Sequence, residues 1–306
     1  MLDSNLNNLG PDLKDLKSIL LRALKLNGPM TAIQMSKLQP LNRQGEPAVY
    51  QPNPKRKVFL LRSYMNVHKC LLRWKDKPGY WKVLKARNND SDIWVDIDLR
   101  KRQIKPNENE ARIANLAHEL AVADVYCALF PHRYSDEKPI LEYWDRDRGN
   151  EVGQAVKYDA RLKLFGKEMF LEVERGNHPI LSLEAAEKAG KSYYEDSVNY
   201  KIDRYLKHFK DSGFQPFTVL FTVEDWRTGS YDPEGTEELF EKYAGLLSRF
   251  TSHHSEKITF LLARHRDVVG DKDQTPGEIH NEVLGDSFGQ VWYDPAQNAY
   301  VSLKQV

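Results

Sequence analysis

Glu172 and Glu174 stand one residue apart within Phe170-Leu171-Glu172-Val173-Glu174. In an extended strand that spacing puts both carboxylates on one face with Phe170, while Leu171 and Val173 face the other way. Neighbouring carboxylates repel and weaken a strand unless a cation or an arginine sits between them. A third acid, Asp159, lies on the preceding segment, and a tight turn at Phe165-Gly166-Lys167 would fold that segment back so that Asp159 falls near Glu172 or its neighbour. Three carboxylates gathered in this way are hard oxygen ligands suited to Mg2+ or Mn2+, held against a scissile phosphate with one carboxylate activating water. The same residues also fit a plainer arrangement, in which the acids face solvent on an amphipathic hairpin and pair with Lys157, Arg161 and Lys163.

The elements that must position these groups follow from periodicity. Glu108 to Phe130 carries Ile113, Leu116, Leu120, Ala123, Cys127 and Phe130 at helical spacing. Three strand-like runs come next, over 140–144, 156–162 and 168–174, the last two joined by the turn at Gly166. A helix bearing Val198, Ile202, Tyr205 and Phe209 precedes the strand 217–223. A further helix is expected over 237–250, then a strand over 258–262 and two short ones near Trp292 and Tyr300. Helix, three strands, helix, strand is the αβββαβ order of a restriction-endonuclease-like core, so residues 106–306 read as an α/β domain of nuclease type. His253 and His254 fall in a loop beside Ser252 and Ser255, without further ligand spacing, and read as solvated.

The net charge of +1 conceals an opposition. Residues 1–105 hold 21 Lys and Arg against 9 Asp and Glu, a net of +12, and the rest of the chain carries 24 against 35, a net of −11. A basic module can track phosphates through counterion release, whereas an acidic one repels DNA unless its carboxylates surround cations. In the basic part, Leu13, Leu16, Ile19, Leu20, Ala23 and Leu24 predict one helix, ended by Asn27-Gly28-Pro29. Thr31 can cap a second helix carrying Ile33, Met35 and Leu38, and a third is expected from about Ser63 to Trp74. A hairpin of 80–84 with 93–97 completes the order of a winged helix. Lys69, Arg73, Lys77, Lys82 and Lys85 would then contact double-stranded DNA, together with the loop run Lys55-Arg56-Lys57. A small helical dimerisation domain with solvating charges fits the same pattern. Arg100 to Asn107 reads as the linker between the two domains, 1–105 and 106–306.

The segments Tyr158-Asp159-Ala160, Phe170-Leu171-Glu172-Val173-Glu174-Arg175-Gly176 and Tyr200-Lys201-Ile202-Asp203-Arg204-Tyr205, with His118-Glu119-Leu120-Ala121-Val122 on the long helix, resemble the replication-relaxation family. That family includes relaxases of the MobC type from mobilisable plasmids. The resemblance implies Asp159, Glu172 and Glu174 as the cation-binding carboxylates and His118 as an active-site partner. Tyr158 stands where the family favours proline, and Glu174 stands where the general nuclease pattern Asp…Glu-x-Lys has lysine. Lys201, from the following helix, would restore a positive charge near the pentavalent transition state. Read without the resemblance, His118 fits a helix-face histidine bonded to a carbonyl, and Lys201 with Tyr205 fits an i, i+4 surface pair.

Cys70 and Cys127 form no CxxC pattern, and no stretch approaches the roughly 18 apolar residues of a membrane span. The expectation is a cytoplasmic, sequence-specific DNA-binding protein with a metal-dependent nicking site, acting at a plasmid or mobile-element origin, with a homodimer left open. The alternative is a non-catalytic winged-helix replication or transcription regulator whose nuclease-like domain is inactive and serves as a platform.

Overall fold

The computed structural model describes residues 23, 26–27, 30–31, 34, 38, 71–73, 93–96, 111–129, 141–146, 156–213, 215–225, 227, 231–254, 258–270, 288–304 and 306. The chain divides into two units, Met1–Tyr143 with Val269–Gly285, and Trp144–Val268 with Asp286–Val306. In the first, β1 (Met30–Thr31), β2 (Leu71–Arg73) and β3 (Ile93–Asp96) make an antiparallel sheet in the order β1-β3-β2, with Met30 opposite Trp94 and Leu72 opposite Val95. Thr31 closes β1 and Gln34 beyond it is helical. The helix expected as far as Trp74 does not reach it, since Leu71–Arg73 are extended. A short apolar run satisfies either period, and here pairing with the β-prone Ile93-Trp94-Val95 decides it. The expected hairpin partner, 80–84, lies outside the described residues, as do Lys55, Arg56, Lys57, Lys69, Lys77, Lys82 and Lys85.

The long helix is α1 (Ala111–Leu129), and it groups with the first unit instead of opening the second. Its buried stretch Leu120–Cys127 is polar at Asp124, which accepts from Gln34 Nε2 at 2.9 Å, while the same amide donates to Leu120 O at 2.7 Å. Cys127 is buried, and its Sγ donates to Gln34 O at 3.4 Å.

The second unit holds a seven-stranded sheet and its helices, apart from residues 141–143 of the edge strand and Val269, which fall in the first. Its elements are β4 (Leu141–Asp145), β5 (Ala160–Leu164), β6 (Lys167–Glu174), α2 (Leu183–Lys188), α3 (Lys191–Glu195), α4 (Val198–Asp211), β7 (Phe217–Val223), α5 (Pro233–His254), β8 (Ile258–Arg264), α6 (His265–Val269), β9 (Trp292–Asp294) and β10 (Ala299–Val301). The strand order is β10-β9-β8-β7-β6-β5-β4, with β5 antiparallel to β6 and β6, β7 and β8 mutually parallel. Phe165 and Gly166 both take positive φ, 50° and 77°, as a two-residue hairpin turn of the primed type requires. That turn fixes Leu164 opposite Lys167 and Ala160 opposite Leu171.

On β5 burial alternates, with Ala160, Leu162 and Leu164 in and Arg161 and Lys163 out. Along β6 every residue from Met169 to Glu174 is buried, as in parallel strands covered on both faces. One cover is α4, capped by Ser197 Oγ on the Tyr200 N–H, whose inner face is Val198, Asn199, Ile202, Tyr205 and Phe209. With Phe170, Phe221, Phe260, Tyr243 and Leu247 these form the core. Two expectations need correction. Val156–Tyr158 are not strand, and Asp159 sits at a bend just before β5. His253 and His254 are the last residues of α5, not a loop, because the helix runs past Phe250.

Candidate functional site at the end of strand β6

The β5–β6 ladder ends at Ala160 opposite Leu171, and just beyond it the Asp159 N–H donates to Leu171 O at 3.0 Å. Its side chain returns to the same strand: Oδ2 accepts the Val173 N–H at 2.7 Å. Asp159 is therefore pinned to the backbone between Glu172 and Glu174. A second anchor comes from Arg146 Nε, which donates to Asp159 O at 3.0 Å.

Glu172 and Glu174 are each 1% exposed, and helices supply their partners. From α4, Lys201 Nζ lies 3.1 Å from Glu172 Oε2 and 2.5 Å from Glu174 Oε1, and Tyr205 OH, one turn on, donates to Glu172 Oε1 at 2.6 Å. From α5, the buried Tyr243 hydroxyl hydrogen-bonds Glu174. The expected i, i+2 face is thus real, but it points into the cover of α4 and α5 and not into solvent.

Burial sets the electrostatics. It pushes Glu172 up to about 7, with repulsion from Asp159 and Glu174 adding to it, against the attraction of Lys201 and the Tyr205 hydroxyl. Glu174 is buried equally, yet the Lys201 ammonium, helped by His178, overcomes desolvation and holds it below the ordinary carboxylate value. Lys201 is raised despite burial, because Glu172 and Glu174 outweigh desolvation. Two identical side chains on one strand face are thereby driven in opposite directions.

Beyond Glu174 the chain turns at Gly176, whose φ of 79° suits glycine, and a Cβ there would lie 3.2 Å from Arg227 Cδ. Buried Arg175 pairs with Glu224 at 3.3 Å, and the Glu224 N–H donates to Glu174 O at 2.9 Å. Arg227 is held by Asp225, its Nε 2.9 Å from Oδ2.

Asp159, Glu172, Glu174 and Lys201, all expected from sequence, come together here. His118 lies half-buried on α1 in the first unit, and Arg73 closes β2 there. Pairing of the strand acids with the exposed β5 cations does not describe Glu172 and Glu174, and Arg161 instead meets Glu168 at 2.7 Å. Nor is Lys201 with Tyr205 a surface pair, since Tyr205 is fully buried. The hydroxyl roles of Tyr205 and Tyr243 and the nearby charge of His178 were missed. An i, i+4 match to a buried carboxylate strand is the signal that could have found Tyr205.

By chemistry, carboxylate oxygens are the ligand type that suits a hard divalent cation. As placed, the glutamates converge on Lys201, and among the described residues no group of three His, Cys, Asp or Glu is arranged to hold a metal ion. Nor, among the described residues, is any helix long and apolar enough to cross a membrane. No protein-family model, curated protein or solved structure matches this chain.

Proposed function

We propose that this chain is a cytoplasmic, sequence-specific DNA-binding protein that nicks DNA with Mg2+ or Mn2+ at a plasmid or mobile-element origin. The observation that carries the reading is Asp159, fixed by the Val173 N–H between two buried glutamates that share Lys201. Within the second unit, the antiparallel β5–β6 hairpin followed by α4 and a parallel β7 supports a restriction-endonuclease-like core. The β1-β3-β2 sheet and the +12 balance of residues 1–105 support a winged helix for the duplex.

Asp159, Glu172 and Glu174 would hold the ion. When bound it would polarise the phosphate and ease ionisation of a water molecule. One of these carboxylates would take up a proton from that water, and Lys201 would offset charge building on the phosphate oxygens. Lys55, Arg56, Lys57, Lys69, Arg73, Lys77, Lys82 and Lys85 would supply the phosphate contacts that hold the duplex. The test is relaxation of supercoiled plasmid bearing the cognate origin with Mn2+, wild type against Glu172→Ala. Identical behaviour of the two proteins rules out the assignment.

One feature favours a second reading, a non-catalytic regulator that keeps the domain as a partner platform: Lys201 already bridges the glutamates as a structural ion pair does. Calorimetric titration with Mn2+ separates the two. Heat that disappears in Asp159→Ala supports the nickase, and no heat in either protein supports the regulator.

A further inference from the structure

The acidity of the later part of the chain is not spread evenly. Residues 156–168 and 199–211 hold 8 Lys and Arg against 4 Asp and Glu, a net of +4, although 106–306 as a whole carries −11. These two stretches are apart in sequence and side by side in the fold. Arg161 and Lys163 of β5 stand opposite Phe170 and Glu168 of β6, and paired residues share a face, so both cations lie on the face of the sheet where α4 packs. They are exposed there, while Ala160, Leu162 and Leu164 are buried on the other face. On α4, His208 meets the Phe170 ring edge-on at 5.6 Å and feels the charges of Glu168 and Arg161, which sets the helix flank bearing Lys201, Arg204 and His208 beside β5. A floor of Arg161 and Lys163 and a wall of Arg204, Lys207 and His208 thus make a basic ledge. Its acids are Glu168, which pairs with Arg161 at 2.7 Å, and Asp211 at the end of α4. The ledge ends at Asp159 and Lys201, next to the buried glutamates.

We infer that this ledge is the surface on which the second unit takes the phosphate backbone of double-stranded DNA, leading one strand toward Asp159 and Lys201. The inference rests on the DNA-binding part of the reading above and adds a contact surface outside the basic residues 1–105. Charge picks out the partner. Without the two basic stretches, 106–306 is net −15, so a polyanion is on balance repelled by that remainder and drawn to the ledge. Spacing agrees, because alternate residues of a strand, such as Arg161 and Lys163, stand about 7 Å apart, close to the step between consecutive phosphates along a DNA strand.

The full-length protein is titrated into a fluorescein-labelled linear DNA duplex, and binding is followed by anisotropy over a series of salt concentrations. Arg161→Gln combined with Lys163→Gln removes two phosphate contacts, so the slope of log K against log salt should shrink by about 2 and affinity at about 0.1 M salt should fall about tenfold. Lys188→Gln combined with Lys242→Gln neutralises two exposed lysines elsewhere, on α2 and α5, and should change neither quantity. In the wild-type chain, saturating duplex should slow acetylation of Lys163 and Lys207 by about fivefold or more, read by mass spectrometry, and leave Lys188 and Lys242 as reactive as before. DNA binding by the wild type with an unaltered slope in the Arg161 and Lys163 variant, or with Lys163 labelled equally fast in the presence of duplex, overturns the ledge and leaves DNA binding by residues 1–105 standing. No binding by the wild type overturns the DNA reading and the ledge together. Because the labelling arm uses the wild-type chain, it decides the matter even if a variant does not fold.

Discussion

Glu172→Gln should gain stability relative to wild type as pH rises, the reverse of what loss of a lysine-paired glutamate ordinarily does. An unfolded glutamate titrates near 4.5, and burial lifts Glu172 to about 7. Between those values the folded protein binds more protons than the unfolded one, so this carboxyl's contribution is fully present below 4.5 and is lost as pH rises through 7. The gap between the two values corresponds to about 3 kcal/mol at full ionisation. Glutamine is a neutral isostere and does not titrate, so it removes that loss. It also places an amide nitrogen near Lys201 Nζ, but the penalty is the same at every pH and cancels when two pH values are compared. Urea unfolding of both proteins at about pH 4.5 and about pH 8 should therefore show the difference moving by about 3 kcal/mol in favour of the variant. Glu174→Gln should move the other way. Its folded value is depressed, so Glu174 contributes stability that is present above 4.5 and lost as pH falls through the folded value. Parallel curves for Glu172→Gln and wild type, or a variant that loses ground at high pH, would mean that Lys201 dominates Glu172 and that burial does not.

Lys201→Met should destabilise the protein at neutral pH by about 2–4 kcal/mol in denaturant unfolding, the lower part of the range reflecting its partial exposure, because two buried glutamates lose their cation. Tyr205→Phe keeps the ring in the core but removes the 2.6 Å donor to Glu172, so about 1–2 kcal/mol should be lost and Glu172 should titrate above its wild-type value by NMR. Asn199→Ala should cost about 1–3 kcal/mol in thermal unfolding, since the buried amide bridges both the N–H and the carbonyl of Leu181. Gly235→Ala and Gly245→Ala, both in α5, should have opposite signs. A Cβ at 235 would lie 2.5 Å from Asp225 Oδ2, costing about 1–3 kcal/mol, whereas at exposed 245 nothing lies within 4 Å and alanine should add about 0.5–1 kcal/mol in the same assay.

What could be read from sequence here tracks how local the deciding force is. A two-residue turn leaves no freedom in register, so counting from Phe165-Gly166 sets Ala160 opposite Leu171, and with it Asp159 beside the stretch of β6 that carries the glutamates. Periodicity alone likewise placed α4 and the strands β6 and β7, whose residues repeat the pattern that their neighbours bury. The protonation behaviour of Glu172 was out of reach, because a carboxylate on a strand face is exposed or buried according to what covers that face. Here the cover is α4 and α5, one of them more than sixty positions away along the chain. Tyr243 shows the same thing from the other side. It sits among Leu239, Phe240, Leu246 and Leu247 on an apolar helix face, so its spacing says core, and only the packed structure shows a hydroxyl turned onto Glu174. Leu71–Arg73 failed for a related reason. A run as short as Leu-Leu-Arg suits helix and strand equally, and the choice was made by β3, a partner twenty residues on. Sequence therefore exposes the ligand types and their register, while the property on which chemistry depends, which carboxyl keeps its proton at neutral pH, belongs to the tertiary fold.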